Sequence, residues 1–369
     1  MYRRFLRDFS PNDLYIPMGY RSKGRILQFD GLRALAFGGV FLQHAFHVPL
    51  LWMGVDCFFV LSGFLITGIL ARQQGEAGAI KTFYWKRACR ILPPYCLALA
   101  IVALTLGISW LTDWPYLAFF TANFGIAFHH VKTGALSPLW SLSVEEHFYL
   151  LWPFVILFLS RRRSIQIAAG ILIGAPILRG ICTPLFATHF PIYFLTPFRA
   201  DLLAAGALLA LTLKEYPEQW AALSKYLIVA GGCGIALLAA FGFKTNGNTV
   251  TFNVLSYESS LLFFTGLIAF LAPLQSGAAY RLLTLKPLRY IGTISYLAYL
   301  IHQPMLLLIH SRLLAFAVTL VICALSWELM EKRLIAFSRT KHEGAAHQSR
   351  QHANSATGLP GPLGLSDFH

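Results

Sequence analysis

Apolar residues gather in ten stretches, at about 31–50, 54–71, 91–112, 144–160, 164–182, 198–213, 226–243, 254–273, 291–309 and 313–331. Crossing a hydrocarbon layer of ~30 Å takes about 20 helical residues. Lipid offers backbone amides no partners, so each crossing must satisfy its own hydrogen bonds. The pattern therefore predicts an all-α fold, a polytopic bundle of ten transmembrane helices. The run 198–213 is short and needs neighbouring residues to complete it. Residues 115–128, PYLAFFTANFGIAF, are apolar but only 14 long, which suits an interfacial or re-entrant piece better than a crossing.

Composition narrows the class. Of 369 residues, 56% are hydrophobic and only 12% charged, and the mean hydropathy is +0.59. A soluble chain of this length could not hide so much apolar surface. The net charge of +14 could suggest nucleic acid, but Lys and Arg lie in short stretches between the apolar runs. With the N-terminus inside, 24 of them fall on the cytoplasmic side and five on the other, leaving Arg33 just within the first helix. That asymmetry predicts cytoplasmic termini and an even number of crossings. Residues 1–28 read as a basic cytoplasmic lead without the apolar core of a cleavable signal, 29–339 as the membrane domain, and 340–369 as a disordered cytoplasmic tail. The six cysteines are scattered without paired spacing, so neither disulfides nor a zinc site is expected.

Ionisable groups inside membrane helices are costly and point to function, or to structural pairing between helices. The first helix is richest, reading FDGLRALAFGGVFLQHAFH. Arg33 and His44 are eleven apart. At ~100° per residue that places them on one face, about 16 Å apart along the axis. Asp30 shares the face, and Gly38 and Gly39 lie between them. One helix thus offers a cation near one end and a proton acceptor further along. Asp56 opens the second helix and either orients an imidazole or caps the helix. The stretch 81–95, KTFYWKRACRILPPY, reads as a loop whose Arg87 and Arg90 grip a polyphosphate or anchor to lipid phosphates. Glu145 and Glu146 are adjacent, so they point ~100° apart and only one faces a given site. One of them polarises a histidine or substrate hydroxyl, or simply favours the helix dipole. His302 precedes a proline in an apolar run and is either functional or a satisfied core histidine. His44/His47 and His129/His130 lack the carboxylate–histidine spacing of a metal site.

Six strings then occur in order: FDGLRALAFGGVFLQH, GVDCFFVLSGFLITGIL, FYWKRACRILPPY, PLWSLSVEEHFYLLWP, FRADLLAAGALLA and SYLAYLIHQP. Together they resemble membrane acyltransferase family 3, over about residues 29–335. Members O-acylate bacterial surface sugars and some other acceptors. The resemblance implies an integral protein of the bacterial inner membrane, an acyl-CoA donor from the cytoplasm and an acceptor at the outer face. Its Arg-x10-His falls on Arg33 and His44, its Arg-x-x-Arg on Arg87 and Arg90, and its Ser-Val-Glu-Glu on Ser143 to Glu146. The late His-x-Pro falls on His302 and Pro304. Where relatives commonly have Gln, this chain has His147, and nothing after residue 340 reads as the extra hydrolase-like domain many relatives carry.

The expected mechanism joins these readings. Arg33, Arg87 and Arg90 hold the phosphates of acyl-CoA, most simply acetyl-CoA, which acts as a co-substrate rather than a resident cofactor. The pantetheine arm threads past Gly38 and Gly39 to bring the thioester to His44. His44 is the general base or a transient acyl carrier, Asp56, Glu145 or Glu146 orients its ring, and Trp140, Ser143 and His302 meet the carbohydrate acceptor. The rival class is a transporter or flippase of a glycan or small anion, although no paired inverted halves are evident.

Overall fold

The computed structural model describes residues 26–108, 112–130, 134–241 and 247–338. The basic lead through residue 25 and the tail from 339 lie outside the described residues. The described chain is helical, with no strand. Long helices are α1 (Leu27–Phe46), α2 (Gly54–Arg72) and α3 (Ala79–Leu106). Two short helices follow, α4 (Trp114–Ala118) and α5 (Ala122–Ala127), and then α6 (Leu139–Phe158) and α7 (Arg161–Cys182). The chain continues through α8 (Phe190–Phe194), α9 (Ala200–Thr212), α10 (Pro217–Ala240), α11 (Val250–Leu271), α12 (Gly277–Leu283), α13 (Lys286–Leu308) and α14 (Arg312–Ser326).

Among the described residues, seven helices are long and apolar enough to cross a membrane. They are α2, α3, α7, α10, α11, α13 and α14, some extended by the turns at their ends. Large apolar side chains such as Leu104, Val229 and Leu313 stand exposed on them, which lipid tolerates and water does not. The ten-crossing expectation adds α1, α6 and α9. The first two carry the polar residues singled out in the sequence, and α9 is a shorter apolar helix.

Local chemistry accounts for several boundaries. Ser160, Thr249 and Ser311 cap α7, α11 and α14 by accepting from the backbone N–H of Arg163, Phe252 and Leu314. Pro217 opens α10, where its missing N–H costs nothing. The stretch 81–95, expected as a loop, is instead the first half of α3, a helix that carries Pro93 and Pro94 in its interior. On the same turn the Tyr296 hydroxyl of a neighbouring helix donates to the Ile91 carbonyl at 3.5 Å. Residues 115–128 form α4 and α5 with a break at Phe120, whose φ is +53°, so no continuous helix runs through them.

The helices that build the site approach backbone to backbone. A methyl at Gly63 of α2 would overlap the Leu203 carbonyl oxygen of α9, and one at Gly206 of α9 would overlap that of Val60. Gly31 and Gly292 bring α1 as close to α12 and α13. Small residues allow such contacts, and close packing is the main attraction left between helices in lipid. Gln28 adds a tie from α1, donating to the carbonyls of Leu271 at 2.8 Å and Leu274 at 3.1 Å.

Candidate active site

Two cavities lie between the helices, and their linings share Val55 and Tyr299. The first, about 90 Å³, is lined by Arg33 of α1, Ser62 of α2, Arg87 and Arg90 of α3, Glu145 and Tyr149 of α6, and Tyr296 of α13. The three cations that the sequence singled out therefore share one chamber. Arg87 and Arg90 meet there because they are i and i+3 on a helix rather than on a loop. The Arg87 guanidinium lies over Phe83 at 5.8 Å and Tyr149 at 5.7 Å from the ring centroids. Tyr149 donates to Glu145 Oε2 at 3.1 Å and Ser62 donates to Oε1 at 2.7 Å. Arg90 stands within electrostatic reach of Glu331, which is buried on the π-helical turn Trp327–Glu331. Glu145 is thus the carboxylate that lines the chamber beside the cations, while Glu146 is within electrostatic reach of Arg87. Glu146 does not line the chamber.

The second cavity, about 200 Å³, is lined by His44 and Gln43 at the end of α1, Trp52, Trp140, His189, Tyr193 and Tyr257. Three polar atoms in its wall are buried without a hydrogen-bond partner among the described residues: Gln43 Oε1, Trp52 Nε1 and Tyr257 Oη. A hydroxyl-bearing ligand would supply what they lack. Aromatic faces fill most of the remaining wall, with Trp140 4.8 Å from the Tyr193 ring and 5.3 Å from Phe194. His189 precedes α8, and burial holds its pKa below the ordinary imidazole value.

The protonation of His44 follows from its partners. His302 Nδ1 lies 2.6 Å from the Tyr299 carbonyl, which can only accept, so this nitrogen carries the proton. In the neutral ring Nε2 then accepts, and it sits 3.2 Å from His44 Nδ1. His44 Nδ1 is also 2.9 Å from the Val40 carbonyl, again an acceptor. Both contacts place the hydrogen of His44 on Nδ1 and leave Nε2 with its lone pair.

Several expectations change. Asp56 does not orient an imidazole: it is fully buried and its Oδ1 pairs with Arg199 Nη2. Neither Glu145 nor Glu146 orients His44, because α6 presents Glu145 to the other chamber. The histidine that does touch His44 is His302, which is buried and lines neither cavity, so it does not meet the acceptor. Ser143 is buried and donates to the Leu139 carbonyl of its own helix at 3.0 Å, so it reaches no cavity, whereas Trp140 does. Gly38 and Gly39 line neither chamber, since they lie on other sides of α1 from Arg33 and His44.

The sequence also hid a second layer. Arg199 sits inside a cage of Trp52, Phe59, Trp140, Tyr193 and Tyr257, its guanidinium 4.3 Å from the Tyr257 centroid. Arg179 pairs with Asp201 at 2.6 Å and with Glu258. These buried pairs lock α9 to α2, α7 and α11 beneath the aromatic cavity. The string FRADLLAAGALLA exposes Arg199 and Asp201 to a reader, but their partners lie far along the chain.

A helical bundle of this hydropathy, with charged groups enclosed between its helices, is an integral membrane protein. Its two neighbouring chambers, one cationic and one holding an oriented imidazole, have the form of a transfer site. The acyltransferase domain family matches residues 26–327, and the chain belongs to that family. It is 30% identical over 353 residues to the peptidoglycan O-acetyltransferase OatA of Listeria monocytogenes, covering 84% of this chain and 56% of that protein. It is 31% identical over 318 residues to the O-acetyltransferase OatA of Staphylococcus aureus, covering 76% of this chain and 51% of that one. The chain therefore spans about half the length of the curated relatives it matches. No solved structure matches it.

Proposed function

We propose that the protein is a membrane O-acetyltransferase that carries an acetyl group from acetyl-CoA to a hydroxyl of a sugar-containing acceptor. The observation that carries this reading is the pair of adjoining cavities, one lined by Arg33, Arg87 and Arg90 and the other by His44. Three guanidinia in one chamber suit the phosphates of CoA. The unpartnered Gln43, Trp52 and Tyr257 atoms among aromatic faces suit a hydroxyl-rich, uncharged acceptor. The names of the relatives support O-acetyl transfer, and that of the Listeria protein favours peptidoglycan as the acceptor.

In this reading His44 Nε2 takes the proton of the acceptor hydroxyl as its oxygen attacks the thioester carbonyl. The carbon–sulfur bond then breaks, and the CoA thiolate leaves with the proton returned by the imidazolium. If the same nitrogen carries the acetyl group first, the reaction runs in two steps and shows ping-pong kinetics. The chain crosses the membrane ten times, with the cationic chamber toward the cytoplasm and the aromatic one toward the outer face. The Arg and Lys asymmetry supports that orientation.

The test is free-thiol release from acetyl-CoA by membranes containing the protein, with acceptor glycan added and omitted. Acceptor-dependent release is expected. A protein that moved glycan across the membrane with no thiol appearing would be a transporter.

A further inference from the structure

Val55 and Tyr299 line both cavities, and they are the residues the two linings share. The two cavities therefore meet at these residues, and a neck joining the cationic chamber to the His44 cavity would run between them. Tyr299 forms a firm side of this neck. Its hydroxyl lies 2.7 Å from Ser141 Oγ, and its ring packs against Phe58 with centroids 6.1 Å apart. Its carbonyl receives the His302 Nδ1 proton at 2.6 Å, and the ring lies 5.6 Å from that imidazole. Val55 is buried on α2, one residue before Asp56, whose ion pair with Arg199 fixes that turn of the helix. Both sides of the neck are thus tied to fixed groups, and neither can withdraw without breaking a buried contact.

Resting on the donor assignment above, we propose that Tyr299 and Val55 select the acyl group. The thin pantetheine arm fits from the arginine chamber toward the neck, and the acyl group alone must enter it to meet the acceptor oxygen. A two-carbon group passes, whereas each added methylene meets the Tyr299 ring. The residues that grip CoA contact the nucleotide and do not sense chain length, so this selection is independent of donor affinity.

The experiment compares acetyl-, propionyl- and butyryl-CoA as donors for membranes bearing the wild type, Tyr299→Ala, Tyr299→Phe and Val55→Ala, reading thiol release with acceptor present. The wild type is expected to favour acetyl over butyryl. Tyr299→Ala and Val55→Ala should raise the butyryl-to-acetyl ratio of kcat/KM about tenfold, a difference of ~1.4 kcal/mol. Tyr299→Phe keeps the ring and should keep the wild-type ratio. If folded Tyr299→Ala and Val55→Ala both stay within twofold of the wild-type ratio, the neck does not select the acyl group. Should Tyr299→Ala fail to reach the membrane, Val55→Ala decides by the same criterion. A wild type that releases no thiol from any donor overturns the donor assignment, and this proposal with it. Acetyl transfer with an unaltered ratio in the variants overturns this proposal alone.

Discussion

His44 of α1 and His302 of α13 meet with 3.2 Å between Nδ1 and Nε2, although 258 positions separate them in the chain. Among the described residues, no carboxylate hydrogen-bonds to this pair. The Tyr299 carbonyl fixes the proton on His302, and the Val40 carbonyl joins His302 in holding the proton of His44 on Nδ1. The free lone pair of His44 is therefore determined by two backbone carbonyls. His44→Ala should lower acetyl transfer by about 10²–10⁴-fold, the usual loss of a general base. Protein level in the membrane should not change. Transfer assays normalised to membrane level check this, and full activity would remove the base assignment.

The cationic chamber predicts a donor phenotype. Arg87→Ala and Arg90→Ala should each raise KM for acetyl-CoA by about 10- to 100-fold, the value of a charge-assisted hydrogen bond. The acceptor KM should move little. Arg87→Lys should recover only part of the loss, because an ammonium cannot reproduce the stacking of the guanidinium on Phe83 and Tyr149. Steady-state kinetics with donor and acceptor varied separately check both statements.

The buried ion pairs predict a folding phenotype. Arg199→Met leaves Asp56 charged or forces it to protonate inside the bundle, and should destabilise by about 3–5 kcal/mol. Thermal unfolding in detergent reads this directly. Glu145→Gln keeps one acceptor oxygen, and its amide N–H can donate to the other hydroxyl, so it should leave the melting temperature within a few degrees of wild type while lowering turnover. Equal loss of stability in the two variants would contradict the division between structural and site carboxylates.

Packing supplies a backbone-level prediction. Gly206→Ala places a methyl on the Val60 carbonyl oxygen, so α9 must move away from α2. The strain should cost about 1–3 kcal/mol. Gly170→Ala, where the added methyl would meet no neighbouring element, should be neutral or slightly stabilising in the same detergent melt, alanine being the better helix former.

One surface pair has a pH signature. The Glu215 carboxyl, on the connection from α9 to α10, is held below its ordinary value of 4.5 chiefly by the hydrogen bond from Arg161. A lowered folded-state pKa means the pair's small contribution is fully present above that ordinary value. It is lost as pH falls through the lowered one. The difference in melting temperature between wild type and Glu215→Gln should therefore vanish in acid, as a series of melts from pH 7 to pH 3 would show.

Much of this site was legible in the chain. Arg33 and His44 fall on one face of one helix, so helical geometry alone relates them. Arg87 and Arg90 read as a pair by spacing, although the helix that aligns them begins earlier than the apolar run suggests. The reason is that the basic first half of α3 is helical while failing the hydropathy pattern. Asp56 was ambiguous because its partner, Arg199, lies 143 residues away. The same distance problem concealed Tyr299, whose role depends on meeting Ser141 and on lying between two cavities.

The sequence by itself determined the solvent, the helices and the kinds of chemistry available. Lipid requires each span to satisfy its own backbone, so long apolar runs have little choice but to be helices, and the few polar residues within them stand out. Tertiary structure alone decided which of those residues meet. Side chains on different helices come together only through interhelical packing at glycines such as Gly63 and Gly206. That packing turned one carboxylate into half of a buried ion pair, made a distant histidine the partner of His44, and placed Val55 and Tyr299 in the walls of both chambers.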